Sequence, residues 1–388
     1  MNGFVYDIPT KVYFGSGQLQ HLGMELSRLG KRILLVYGGG SIKKNGLYDS
    51  VTWELKRMGL MFFELGGIAP NPRVESVREG AALCKKEKLD VILAVGGGSV
   101  IDAAKYIAAA ACVDFDPWKF MSEQAPLKEA LPVVTVLTIA ATGSEMDSGG
   151  VITNLSTNEK LCRFAPPLQP QVSFLDPKNT YSVSRYQTAC GTADIMSHII
   201  EVYFNMTPDL QMLDGIMESL MKTVICYAPV VLADPENYEA RANLMWAGSW
   251  AINGFIKGGK QQAWSCHPME HELSALYDIT HGLGLAILTP RWMEYTLDET
   301  TASKFVQFGV NVFSIHPGLP PMEIAMESIR RISEFFFHTL GLNRTLGEIG
   351  IDDSQVTLMA QKACRGDRIL GFKTLYPQDV EKIYQMCI

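Results

Sequence analysis

In the first half of the chain, apolar residues fall in short compact runs separated by amphipathic stretches. Residues 33–37 (Ile-Leu-Leu-Val-Tyr) and 91–95 (Val-Ile-Leu-Ala-Val) contain no charged residue. That is the pattern of a parallel strand covered on both faces. Residues 11–15, 61–65 and 133–137 predict further strands, and helical periodicity occupies 19–29, 48–58, 74–88 and 101–111. Glycine clusters follow two of the runs: Gly-Gly-Gly-Ser at 38–41 and again at 96–99. Residues 66–72, Gly-Gly-Ile-Ala-Pro-Asn-Pro, read as a rigid loop. Strand, glycine turn and helix in repetition predict βαβ units and a doubly wound α/β sheet, with ligands at the carboxyl ends of the strands.

Beyond residue 183 the strand signals largely vanish. Residues 175–180 read as a loop. Ser184-Arg-Tyr-Gln187 then has the spacing of a capping box and predicts a helix through Asp194 and His198. Helical periods recur at 209–227, 238–256, 262–276, 282–296, 303–313, 322–340, 353–363 and 379–386. The expected organisation is an α/β domain at 1–183 followed by an all-helical domain at 184–388.

Composition narrows this picture. At 388 residues the chain can bury two cores. A net charge of −7 without a basic stripe speaks against a nucleic-acid partner. The N-terminal residues show no basic region leading into an apolar run, so no signal peptide is expected. No long uninterrupted apolar stretch predicts a membrane span. Eight cysteines are scattered without a Cys-x-x-Cys pair. They read as reduced thiols of a cytoplasmic protein rather than a disulfide framework.

The glycine turns carry the first candidate chemistry. At Gly97, Gly98 and Ser99, backbone without β-carbons can approach a pyrophosphate, and the amides heading the next helix point at the anion. Asp102 lies one turn on. The standard Gly-x-Gly-x-x-Gly fingerprint is absent. A third turn, Ala140-Ala-Thr-Gly-Ser-Glu145, adds the hydroxyls of Thr138, Thr142 and Ser144. The turn at Gly38, Gly39 and Ser41 continues into Lys43 and Lys44 and contains no acid to hold ribose hydroxyls. Space for a 2′-phosphate, with Ser41 and Lys43 beside it, points to NADP(H); the alternative is that both lysines are merely solvated.

The second candidate chemistry lies in the helical half, which holds four of the chain's seven histidines within residues 194–281. Asp194 and His198 are spaced i, i+4, as are His267 and His271, so each pair shares a helix face. His281 follows a break between two helical runs. An isolated His-x-x-x-His pair is usually a solvated helix face. Here imidazoles and a carboxylate recur in segments that read as helical, which is what a divalent metal requires. Cys266 is disfavoured as a soft ligand, since its position next to His267 points elsewhere on a helix.

With these segments assembled, the chain resembles the iron-containing (group III) alcohol dehydrogenase family, in its NADPH-dependent butanol dehydrogenase and aldehyde reductase branch. The matching segments are 14–17, 37–44, 66–72, 94–102, 140–145, 176–177, 194–198 and 267–282. The resemblance implies a Rossmann-like dinucleotide-binding domain and an all-α metal-binding domain in a dehydroquinate synthase-like architecture. It implies metal ligation by Asp194, His198, His267 and His281, with Fe2+ or Zn2+ as the ion. It places His271 near nicotinamide and substrate, puts Asn71 in the cofactor-binding set, and identifies Lys160 with a lysine close to the cofactor. It also implies a homodimer.

The expected reaction is metal-assisted hydride transfer between NADP(H) and small aliphatic aldehydes such as butyraldehyde. The alternatives are a dehydroquinate-synthase-like lyase, a glycerol-dehydrogenase-like polyol oxidoreductase, and a non-catalytic nucleotide- or metal-binding protein. A lyase acting on a phosphorylated acid needs more cations than Arg185, Lys257 and Lys260 supply near the metal segment.

Overall fold

A computed structural model describes residues 1–260 and 264–388. The chain divides into two compact units. One comprises Asp7–Val183 with Gly248–Asn253; the other comprises Met1–Tyr6, Ser184–Ala247 and Gly254–Ile388.

The first unit is a parallel α/β sheet. Its strands are β1 (Lys11–Phe14), β2 (Arg32–Tyr37), β3 (Met61–Leu65), β4 (Val91–Gly96), β5 (Val133–Leu137) and β8 (Val172–Leu175), in spatial order β1-β8-β5-β4-β2-β3. A separate antiparallel hairpin joins β6 (Gly149–Asn154) to β7 (Glu159–Phe164). The helices are α1 (Leu22–Leu29), α2 (Ser41–Lys44), α3 (Leu47–Arg57), α4 (Val74–Glu87), α5 (Gly98–Ala110) and α6 (Lys119–Ser122). Successive strands run outward from β2 to β3, then resume on the other side with β4 and β5. The order therefore reverses between β2 and β4, and a doubly wound sheet offers its ligand crevice at such a switch point. Both Gly-Gly-Gly-Ser turns leave the strands that flank it.

The run at 33–37 is fully interior because sheet neighbours and helices cover it on all sides. Ile33 and Leu35 share a core with Leu22, Leu26, Leu93, Val134 and Phe174. Each such side chain contributes about 1.5–3 kcal/mol relative to exposure.

Three strands, β6, β7 and β8, escape the sequence pattern. β8 is only four residues long and follows the proline-rich segment at 166–170. β6 opens on Gly149 and Gly150, which carry no side-chain signal. What orders the hairpin is tertiary. The buried Lys105 ammonium donates to the Asp147 carboxylate and to the carbonyls of Asp147 and Gly149 at 2.6–3.0 Å. The Tyr106 hydroxyl donates to the Arg163 carbonyl at 3.0 Å.

The second unit is helical: α7 (Arg185–Tyr203), α8 (Gln211–Ala233), α9 (Tyr238–Trp250, of which the last three residues belong to the first unit), α10 (Cys266–Tyr277), α11 (His281–Thr296), α12 (Ala302–Phe313), α13 (Pro321–Glu334), α14 (Val356–Ala363) and α15 (Pro377–Cys387). Ser184 caps α7 as its spacing predicts, its hydroxyl accepting the Gln187 N–H at 3.2 Å. The helix expected from residue 262 begins at Cys266: residues 262 and 263 lie outside the described part of the chain, and Trp264 and Ser265 are not helical. α8 is long and apolar enough to cross a membrane by length and composition. Yet Leu213, Met217, Met221, Val224, Ala228 and Val231 turn its apolar stripe into the interior of this unit.

Candidate active site

In the α/β unit the glycine turns pack closely. The Thr142 hydroxyl stands so near Gly98 that a β-carbon there would lie 2.3 Å from it. Only glycine lets the head of α5 sit against the 140–145 turn with its amides uncovered. Thr142 Oγ1 accepts the Ser144 N–H at 3.2 Å, and the Thr138 N–H donates to the Gly96 carbonyl at 3.1 Å. The Asp102 carboxylate accepts from Ser144 Oγ at 2.6 Å and from the Val151 N–H at 3.0 Å. Burial pushes its pKa up to about 6, although Lys105 works in the opposite direction. Gly97, Gly98, Ser99, Asp102, Thr138, Thr142 and Ser144 thus come together at one end of β4 and β5. Asn71 is buried in the loop after β3 with a φ of 50°. Lys160 is buried on β7, opposite Thr153 in the ladder.

The turn after β2 departs from its sequence reading. Gly38 and Gly39 leave the strand, and Ser41 opens α2. Lys43 is not simply solvated: its ammonium lies 4.7 Å and 4.6 Å from the ring centroids of Tyr37 and Tyr48, and 3.5 Å from a Glu64 oxygen. Both tyrosyl hydroxyls donate to Glu64, at 2.8 Å and 2.6 Å. An acid therefore does stand beside this turn. It comes from β3, the neighbouring strand, and reading along residues 38–44 could not reveal it.

In the helical unit, Asp194, His198, His267 and His281 converge. Asp194 Oδ1 lies 3.6, 3.9 and 3.8 Å from the Nε2 atoms of His198, His267 and His281. Donors held at 2.0–2.2 Å around a tetrahedral divalent ion stand about 3.3–3.6 Å apart, so this set closes on an ion with small adjustment. His267 Nε2 is buried and has no hydrogen-bond partner among the described residues, a costly state for a polar nitrogen unless it takes a ligand. Burial, then the neighbouring His267 and His281, push the pKa of His198 well below its ordinary value, which keeps the ring in the neutral form that ligates.

Close helix packing makes the convergence. A β-carbon on Gly282 would lie 1.9 Å from the Cys190 carbonyl oxygen, so glycine there brings the head of α11, with His281, against the α7 turn that precedes Asp194. The His271 ring lies 5.8 Å from that of His281 and 6.4 Å from that of His267. Glu270, His271 and His281 form a second cluster with ligand-type atoms within 4.8 Å. We favour the Asp194 set, because Glu270 already engages His281 Nδ1 and Ser274 Oγ. Cys266 is fully buried and its thiol pKa is pushed well up, chiefly by burial.

Sequence reasoning missed two carboxylates here. Glu201 is hydrogen-bond partner to His267 Nδ1, and Glu270 to His281 Nδ1. The available signal was helical phase: Asp194, His198 and Glu201 fall on one face of α7.

Comparison with known proteins decides the lineage. A family profile described as "Iron-containing alcohol dehydrogenase" matches residues 9–177, and its C-terminal counterpart matches residues 188–388. The chain belongs to the iron-containing alcohol dehydrogenase family. That membership makes it an oxidoreductase of the alcohol dehydrogenase class, and the family implies a nicotinamide cofactor and a metal. The α/β unit and helical unit are those of the dehydroquinate synthase-like fold. Over 387 residues the chain is 47% identical to NADH-dependent butanol dehydrogenase A of Clostridium acetobutylicum, covering 99% of each. It is 37% identical to the NADPH-dependent aldehyde reductase YqhD of Escherichia coli over 366 residues, 93% of each chain. A crystal structure of NADH-dependent butanol dehydrogenase A from Thermotoga maritima superposes with a TM-score of 0.95 at 36% identity, covering 100% of this chain and 99% of that one.

Proposed function

We propose that this family member is a metal-dependent NADP(H) alcohol dehydrogenase that reduces small aliphatic aldehydes, butyraldehyde among them, and runs reversibly. The observation that carries the reading is the approach of three histidine Nε2 atoms to one oxygen of Asp194. Asp194, His198, His267 and His281 hold Fe2+ or Zn2+. When bound, that ion supplies the Lewis acidity that polarises a carbonyl oxygen. The rest falls to the chain's own residues. His271, one helical turn beyond His267, moves a proton between water and the substrate oxygen. The amides of Gly97, Gly98 and Ser99 at the head of α5 bind the cofactor pyrophosphate. Thr138, Thr142, Asn71 and Lys160 position the rest of the cofactor, while Asp102 and Ser144 brace the turn. Gly38 and Gly39 leave room for the adenosine ribose, and Ser41 and Lys43 hold its 2′-phosphate.

Residues 1–183 act as the dinucleotide-binding domain and 184–388 as the metal-binding and substrate domain, in a cytoplasmic homodimer with no nucleic-acid or membrane partner. Eight free cysteines support a reducing compartment.

NADH is the second reading. Glu64 favours it, since a carboxylate beside Lys43 repels a 2′-phosphate and can accept from ribose hydroxyls. The NADH-dependent relatives favour it too.

The test is oxidation of NADPH and of NADH with butyraldehyde, using protein stripped of metal and reloaded with iron or zinc. Metal-dependent turnover that prefers NADPH, with the preference reduced several-fold in Lys43→Ala, is the expected result. Turnover with NADH alone replaces the cofactor assignment. Absence of turnover under every loading removes the dehydrogenase reading.

A further inference from the structure

Two buried carboxylates stand behind the histidine cluster without pointing into it. Glu201 is 4% exposed and Glu270 is fully buried. Each faces the Nδ1 nitrogen of a histidine whose Nε2 approaches Asp194. An ionised carboxylate only accepts hydrogen bonds, so each ring must carry its proton on Nδ1. That leaves the lone pair on Nε2, the nitrogen aimed at the ion site.

We infer that Glu201 and Glu270 are positioning residues that select the ligating tautomer of His267 and His281 and lock the ring planes for metal binding. The inference rests on the ligand set proposed above.

Glu201 acts at two levels. It lies on α7, one turn beyond His198, and also accepts the backbone N–H groups of Ser265, Cys266 and His267, the latter two at 2.8 and 3.2 Å. One carboxylate thus occupies the otherwise unsatisfied amides at the start of α10 and fixes the ring of the first histidine on that helix. Glu270 links α10 to α11 in the same manner. It lies one turn after His267, accepts the Ser274 hydroxyl, and takes the ring of His281 at the head of α11. Its side chain runs where a β-carbon on residue 284 would come within 2.8 Å of its Cγ, and residue 284 is glycine.

Among the described residues, His198 Nδ1 is buried without a hydrogen-bond partner, so no carboxylate of that set stands behind this ring as Glu201 and Glu270 stand behind the other two. A carboxylate behind a ligating ring also makes its Nε2 a stronger donor, and loss of such a partner typically weakens metal binding about 10–100-fold.

The experiment is a competitive Zn2+ titration against a chelating indicator, with the visible spectrum of the Co2+-loaded protein as a second readout. The variants are Glu201→Gln, Glu270→Gln and Glu270→Leu, with His267→Ala and His281→Ala as controls. Glutamine retains an acceptor but loses the charge; leucine loses both. The expected result is graded: metal affinity falls several-fold in Glu270→Gln and about 10–100-fold in Glu270→Leu. The cobalt bands shift in both, and the Tm of the metal-free protein moves much less than affinity does. If Glu201→Gln disturbs folding by uncapping α10, the Glu270 pair decides. Loss of metal in the histidine controls, with wild-type affinity and an unchanged cobalt spectrum in the glutamate variants, overturns the inference alone. Wild-type affinity in the histidine controls overturns the ligand set on which it rests.

Discussion

The two units build their candidate sites from opposite materials. In the α/β unit the working surface is backbone: glycine turns at Gly38–Gly40 and Gly96–Gly98 whose lack of side chains lets amides and neighbouring turns come close. In the helical unit it is side chains, three imidazoles and a carboxylate, whose rotamers have to be held. A backbone site is tuned by what is absent, and one added methyl group damages it. A side-chain site is tuned by what stands behind each ligand, and it fails when a supporting contact is lost.

The sharpest way to separate the two regions is to delete a ligand. His267→Ala removes a nitrogen that lies 3.9 Å from Asp194 Oδ1 and leaves Glu201 facing a void. Turnover is expected to fall by at least about a thousandfold with loss of bound metal, while cofactor binding persists. Metal analysis and a cofactor fluorescence titration check both halves. Full activity with normal metal content would sink the ligand assignment.

Next come two matched glycine substitutions, one per unit. Gly282→Ala drives a β-carbon to within 1.9 Å of the Cys190 carbonyl, backbone that cannot rotate away. It is expected to cost about 1–3 kcal/mol or more in stability and to weaken metal binding by parting α11 from α7. Thermal unfolding and metal titration measure it. Gly98→Ala meets a side chain rather than backbone, with Thr142 Oγ1, Cγ2 and Cβ at 2.3, 2.5 and 2.9 Å, so that side chain has to shift as a whole. The expected effect is smaller in stability and appears as a KM for the nicotinamide cofactor raised about tenfold, with metal content unchanged. Equal effects of both substitutions on metal content would break the distinction drawn between the units.

The smallest effect concerns Glu145, buried in the α/β unit with its carboxylate accepting from Ser249 Oγ. Burial pushes its pKa up to about 7 from an ordinary 4.5. The folded state therefore holds a proton that the unfolded chain releases between those values. Stability is fully present below about pH 4.5 and declines as pH rises towards 7. Glu145→Gln, neutral throughout, should flatten this part of the Tm–pH curve by a few degrees. Parallel curves for the two proteins would show that Glu145 is not the group responsible.

Much of the fold was legible because its signals are local. The uncharged runs at 33–37 and 91–95, the glycine turns after them and the cap at Ser184 act over a few residues, and the structure realises each of them. β8 and the β6–β7 hairpin were not legible. A four-residue strand has too few positions to show a period, and Gly149 and Gly150 contribute none. The candidate ligands were visible as i, i+4 pairs, but pairing says nothing about what lies behind a ring.

The sequence by itself determined the alternation of buried strands and helices, the glycine turns, and the set of residue types from which a site can be made. Only the tertiary structure decided the partners. Glu64 reaches Lys43 from 21 residues away, Asp102 meets Ser144 across 42, and Glu201 stands behind His267 across 66. Periodicity and turn chemistry are properties of neighbouring residues. A carboxylate placed behind an imidazole is a property of two helices packed together, and neither helix encodes it alone.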